Sequence, residues 1–238
     1  TKPYGPPTID GRARFDMGAE HSAEQPALRR VNNPSDLYGP FQEAMENSAM
    51  TEMVNELIGP NLKFHHCKIN QKLPGAATEV HYHQDFPFTP HTNDDIVTAL
   101  LMLDDVDEEN GTLMYVPKSH KLPIFEFSNM GIEVPKYGEQ FDAYSKYEHF
   151  IKQMVESKGL KIKTFTAKKG QALIWSANLL HGSVPIVDEN RTRYSQATHY
   201  YFDGCSKYYS PMFSDTLRGN VSEKDLTEKD IINHEIKL

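Results

Sequence analysis

The chain is short of cysteine, of basic excess and of long apolar runs, and each shortage excludes a class of protein. Only Cys67 and Cys205 occur among 238 residues. That is no disulfide framework, and it points to a reducing, cytoplasmic compartment. Acidic residues outnumber basic ones, 33 to 25, for a formal charge of −8, whereas a sequence-independent nucleic-acid surface needs the opposite balance. No apolar stretch approaches the roughly 20 residues that cross a bilayer, and no basic-then-apolar leader opens the chain. Trp175 is the single tryptophan. What is present is ordinary for a globular protein: 38% hydrophobic and 11% aromatic residues, enough for one domain over 1–238. The partner implied is a small molecule, not nucleic acid or a membrane, and oligomeric state stays open.

Residues 1–34, rich in Pro, Gly and Arg, read as an irregular arm over a domain or as a mobile linker, not as a core element. From 34 to 58, Phe41, Met45, Met50, Val54 and Ile58 recur at helical spacing. They predict two helical pieces, the second capped by Ser48 and stopped at Gly59-Pro60. The methionines there read as core packing rather than a binding face. The period then changes to that of a strand. Over 61–72, His66, Lys68 and Asn70 share one face and Cys67 and Ile69 the other. Pro74-Gly75 turns into a second strand over 78–86. The most apolar strand, 96–103, follows a loop with Pro87, Pro90 and Asn93. Asn110-Gly111 is a hairpin signal, with 112–116 as the return strand. Residues 121–158 break the β pattern with many aromatics and a helix from about 140 to 157, a lid or a structural flap, with the lid favoured. Strands resume at 160–167 and 171–175. Residues 181–187 and 192–202 form a last antiparallel pair across Asp188-Glu189-Asn190, and a short helix near 223–232 lies in a polar tail. Many short strands and few helices indicate a mainly β fold, closed as a jelly roll of about eight strands.

His83-Gln84-Asp85 ends the second strand, and strand alternation turns its two outer side chains to one face. One more imidazole, from His181, would complete a two-His-one-carboxylate set with open positions, an arrangement suited to iron(II) and O₂. Singly, each residue has a plainer reading: a solvated strand tripeptide, or a satisfied core histidine. The combination gains weight from Arg193, which the expected antiparallel pair places beside the His181 strand. A buried guanidinium needs an anion and matches a carboxylate with its planar fork. A keto acid that chelates iron at one end and meets Arg193 at the other meets both demands, with Ser183 on the same face as a further donor. A salt bridge is the competing use of Arg193, and Arg191 competes for its role. His81 shares the ligands' strand face and is a candidate to line a substrate pocket. Trp175 is either pocket-lining or a core aromatic.

His83-Gln84-Asp85, Glu109-Asn110-Gly111-Thr112-Leu113, Val116-Pro117-Lys118-Ser119-His120-Lys121, His181-Gly182-Ser183 and Arg191-Thr192-Arg193 occur in that order. Together they resemble the phytanoyl-CoA dioxygenase family over about 63–202. The resemblance implies an iron(II)- and 2-oxoglutarate-dependent oxygenase on a double-stranded β-helix, with 61–120 and 160–202 as its core. Residues 1–60 would be its arm and helices, 121–159 a lid and 203–238 a tail. Within the family, residues 65–72 followed by 81–86 are similar to the ectoine hydroxylase branch. That similarity implies Asn70, Lys68 and Thr98 as contacts of 2-oxoglutarate. Lys118 stands where relatives have glycine, and Leu100 and Leu101 where they often have tryptophan. The activity implied is hydroxylation, or a related oxidation, of an unactivated C–H bond in a small organic molecule, with 2-oxoglutarate and O₂ converted to succinate and CO₂. Asp85 favours it over halogenation, for which relatives replace that carboxylate. A cupin-like metal-dependent isomerase or hydrolase and a non-catalytic small-molecule binder are the alternatives.

Overall fold

The computed structural model describes residues 14–17, 28–36, 38–59, 62–74, 80–88, 96–132 and 140–202. The expected tail helix near 223–232 and the turn residue Gly75 lie outside them. Two antiparallel sheets face each other. The larger runs in the order β1 (Arg14–Met17), β2 (Leu28–Asn32), β3 (Leu62–Lys72), β10 (Arg193–Phe202), β5 (Val97–Met102), β8 (Ala172–Ser176). The smaller runs β4 (Val80–His83), β9 (His181–Ser183), β6 (Leu113–Tyr115), β7 (Lys163–Phe165). Eight of these strands, four per sheet, make the jelly roll expected of a double-stranded β-helix, and β1 and β2 extend the larger sheet at its β3 edge.

Those two strands correct the reading of 1–34 as lacking core elements. β2 pairs with β3 through Arg30↔Asn70 and Val31↔Ile69. Backbone pairing at a sheet edge needs no apolar alternation, so the side-chain pattern did not reveal it. Two further pairings differ from expectation. Asn110-Gly111 does not close a hairpin, because β5 and β6 belong to different sheets. Asn110 instead pins the crossover, its amide donating to the carbonyls of Asp105 and Thr192 at 2.9 and 3.1 Å. Likewise β9 pairs with β4 and β6, while β10 pairs with β3 and β5, so the two are not partners. Arg193 therefore reaches the His181 strand across the sandwich, not along a shared ladder.

Strand alternation divides the apolar residues into three layers. Leu100, Met102, Leu113, Trp175 and Ala197 fill the space between the sheets. Met50 and Val54 of α2 (Ser48–Ile58) cover Val97, Ala99 and Tyr200 on the outer face of the larger sheet. Asn47, not Ser48, caps that helix, its side-chain oxygen accepting the Ala49 N–H at 3.1 Å. The Tyr200 hydroxyl donates to the Met45 carbonyl at 2.8 Å and ties down α1 (Gly39–Met45). On the other side α3 (Gln140–Ser157) lays Tyr147, Ile151, Met154 and Val155 against Tyr82, Met114 and Leu180 of the smaller sheet. At about 1.5–3 kcal/mol for each large buried side chain, this half of α3 is a packed layer of the domain. No helix among the described residues is long and apolar enough to cross a membrane.

Candidate metal and keto-acid site

β4 ends at His83 and pairs His83↔His181 with β9, so the two imidazoles lie side by side with centroids 4.3 Å apart. Asp85 lies two residues beyond the end of the strand. Its backbone N–H donates to the Ala177 carbonyl at 2.8 Å, which turns the carboxylate inward. Asp85 Oδ1 lies 3.7 Å from His83 Nε2 and 3.6 Å from His181 Nε2. The ligand atoms of all three lie within 4.8 Å of one another. Ligands about 2.1 Å from a shared ion are separated by roughly 3.0–3.4 Å at octahedral to tetrahedral angles, so the carboxylate–imidazole spacing is within a few tenths of an ångström of what a metal would draw together.

The remaining atoms of the three side chains are already committed. His83 Nδ1 pairs with the His81 carbonyl at 3.1 Å and His181 Nδ1 with the Leu179 carbonyl at 2.9 Å. Each pairing puts the proton on Nδ1 and leaves Nε2 as the bare lone pair, the usual outer support of a metal-binding histidine. Asp85 Oδ2 accepts from the Thr98 hydroxyl at 2.8 Å and from Trp175 Nε1 at 3.1 Å. His199 Nε2 stands 3.7 Å from the same oxygen. Burial, then repulsion from His181, pulls the His83 imidazole down to about 4, against the attraction of Asp85. Burial alone would raise Asp85, but the imidazoles of His181, His199 and His83 outweigh it and hold the carboxyl well below its ordinary value. The His83 imidazole, kept neutral by its surroundings, would present a lone pair, not a proton, to a cation, and burial lowers His199 as well.

Arg193, at the start of β10, is buried beside Lys72, its direct partner on β3. The Lys72 ammonium donates to the Val184 carbonyl at 2.7 Å and so brings this end of the larger sheet against Ser183 and Val184. Arg193 donates one bond to the Ser195 hydroxyl at 2.6 Å. Its Nε and the Ser183 hydroxyl are both buried without a hydrogen-bond partner among the described residues. Burial pulls the guanidinium down to about 10, with the Asp104 carboxylate opposing. Such orphaned donors are rare in a native interior and call for an anion. A distal carboxylate beside the metal triad fits them.

Several expected residues do other work. Arg191 points away, to Asp107 at 2.8 Å and Glu109 at 3.6 Å, because the acidic crossover lies over that turn. It lines no pocket. The Thr98 hydroxyl donates to Asp85, and Trp175 supports the same carboxylate with its ring 4.8 Å from His181. Asn70 and Lys68 do share the inner face with Arg193. The Asn70 side-chain oxygen Oδ1 accepts from Arg30 Nε at 3.2 Å, and the Lys68 charge lies near enough to lower His83 and His199. His81 is partly exposed and lies in the irregular stretch of β4 between Val80 and His83. His199 was missed. Its signal was parity: counting by two from Arg193 along β10 reaches it.

A model of the phytanoyl-CoA dioxygenase (PhyH) family matches residues 6–193. The chain is 30% identical over 186 residues to a probable alpha-ketoglutarate-dependent hypophosphite dioxygenase of Stutzerimonas stutzeri, covering 76% of this chain and 62% of that one. It is 26% identical over 167 residues to an ectoine dioxygenase of Streptomyces anulatus, covering 66% and 52%. The chain thus spans less than two thirds of either relative. Among solved structures it is similar to EctD from S. alaskensis with 2-oxoglutarate and 5-hydroxyectoine, with TM-score 0.60, 18% identity, and coverage of 75% of this chain and 58% of that one.

Proposed function

Because the chain belongs to the phytanoyl-CoA dioxygenase family, we propose that it is an iron(II)- and 2-oxoglutarate-dependent dioxygenase that hydroxylates a C–H bond of a small molecule. His83, Asp85 and His181 would hold the iron, and Arg193 with Ser183 the distal carboxylate of 2-oxoglutarate, with Asn70 and Lys68 flanking it. The observation that carries this reading is a division of labour. Each ligand turns one atom toward a common point and is steadied through another, while two orphaned buried donors, Arg193 Nε and Ser183 Oγ, lie on β10 and β9. When bound, the iron with 2-oxoglutarate and O₂ supplies the oxidising power, one oxygen atom going to substrate and the other to succinate as CO₂ leaves.

The chain's own residues do the rest. Thr98 and Trp175 hold Asp85 Oδ2 and so orient Oδ1. The carbonyls of His81 and Leu179 hold the tautomer of each histidine. The apolar layer around Trp175, Leu100 and Leu113 excludes water. His81 and the start of 121–159 would border the substrate. The relatives' names carry small substrates, ectoine and hypophosphite, and a small polar molecule is the substrate class proposed here. Two cysteines and a net charge of −8 suit a cytoplasmic setting with no nucleic-acid partner.

The test is spectroscopic. Iron(II) and 2-oxoglutarate added without O₂ should give the visible charge-transfer band of the chelate, and O₂ should then release succinate. No band from the wild type would favour a cupin-like isomerase or hydrolase. A band without succinate under any substrate would favour a binding protein.

A further inference from the structure

Gln84 separates two of the proposed ligands, and alternation turns its side chain away from them toward the outer side of the smaller sheet. It is fully buried there, where a hydrocarbon side chain would pack without desolvation cost. Instead every part of the amide is engaged. Its nitrogen donates to the carbonyls of Pro123 at 3.2 Å and Asn178 at 3.1 Å, and its oxygen accepts the Phe125 N–H at 2.8 Å. Its backbone N–H donates to the hydroxyl of Tyr147 at 3.1 Å. Tyr147 is itself fully buried on α3 and stacks on Tyr144 with centroids 6.2 Å apart. Tyr144 lies within reach of the Arg30 charge on β2. One residue thus joins the 123–125 loop, the turn before β9 and α3, at the point where the ligand-bearing strand ends.

Resting on the metal reading above, we propose that Gln84 and Tyr147 are positioning residues that set the aim of His83 and Asp85 and couple α3 to metal affinity. Ligand convergence tolerates about 0.5 Å and 10–20° of error, and a strand end held only by its ladder has more freedom than that. The Gln84 bonds remove that freedom from three directions. The Tyr147 bond makes the α3 position part of the constraint.

Cobalt(II) titration of the full chain tests this, with d–d absorption reporting ligand geometry and thermal melting of the metal-free protein run in parallel. Tyr147→Phe and Gln84→Leu should each weaken cobalt(II) binding about ten-fold or more, the usual cost of losing an outer support, and shift the d–d spectrum. Ile151→Val, a buried α3 change in the same apolar cluster but without a bond to Gln84, should lower the melting temperature and leave affinity and spectrum alone. Wild-type affinity and spectrum in Tyr147→Phe would overturn the proposal, as would an equal loss in Ile151→Val. Should Gln84→Leu fail to fold, Tyr147→Phe decides, since it removes a single oxygen. A wild type that binds no cobalt(II) sinks the metal reading itself, and the inference with it.

Discussion

Arg191 and Arg193 carry the same charge two residues apart, yet the fold gives them opposite surroundings. Arg191 rests in the acidic crossover with Asp107 and Glu109, where an exposed pair contributes little. Arg193 is buried with its Nε unmatched. Arg193→Leu should therefore raise the 2-oxoglutarate requirement roughly thirty-fold or more, the cost of removing one partner of a buried charged pair. Arg191→Leu should stay within about two-fold of wild type. Titration of the charge-transfer band with 2-oxoglutarate measures both, and equal effects would refute the assignment. The metal-free Arg193→Leu protein should also melt no lower than wild type, because an uncompensated buried cation costs stability. The Ser183 hydroxyl is likewise buried without a partner among the described residues, and the sequence singles it out because it lies two residues from His181. That Thr98 and Trp175 both donate to Asp85 was not legible, because composition shows which side chains can donate, not which acceptor they will meet.

The same contrast holds for whole elements. Helices α2 and α3 and the strands β3, β5 and β10 follow from periodicity, since each buries one face over many residues. The partners of β6 and β9 do not. Each is three residues long, too short for a pattern to show which sheet it joins. Backbone conformation at their borders is more telling. Gly111 has φ +79°, and a Cβ there would stand 3.0 Å from Ile186 Cγ1 and Lys72 Cδ and 3.2 Å from the Val184 carbonyl. Gly111→Ala should cost about 1–3 kcal/mol from strain and overpacking together, read as a lower urea midpoint. Lys118 shows the opposite case. It holds φ +68° with a side chain, so Lys118→Gly should leave the midpoint unchanged or raise it. A neutral Gly111→Ala would mean that the crossover is not held as described.

Across the whole molecule, two sheets bring their histidines and a carboxylate into one dry interior, and this makes stability depend on pH. The His83 imidazole stays neutral in the fold down to about 4, whereas in the unfolded chain it takes up a proton from about 6.5. Between those values the unfolded chain binds more protons, so stability rises with pH. The metal-free protein should lose stability as pH falls from 6.5 to 4, and lose more below about 4 as the depressed Asp85 carboxyl is finally protonated. Urea midpoints at pH 7, 5.5 and 4.5 would check this, with His83→Asn flattening the upper part of the slope. A flat wild-type profile would contradict it. By itself, the sequence determined the mainly β class, the inward turn of His83 and Asp85, and His181 as their partner, because strand period and residue chemistry are local properties. Only the tertiary structure decided that β9 and β10 face each other from different sheets, that Arg193 rather than Arg191 is enclosed, and that Thr98, Trp175 and His199 gather on Asp85. Those outcomes depend on which distant strands pair, and pairing is settled by burial summed over the whole core, not by any one segment.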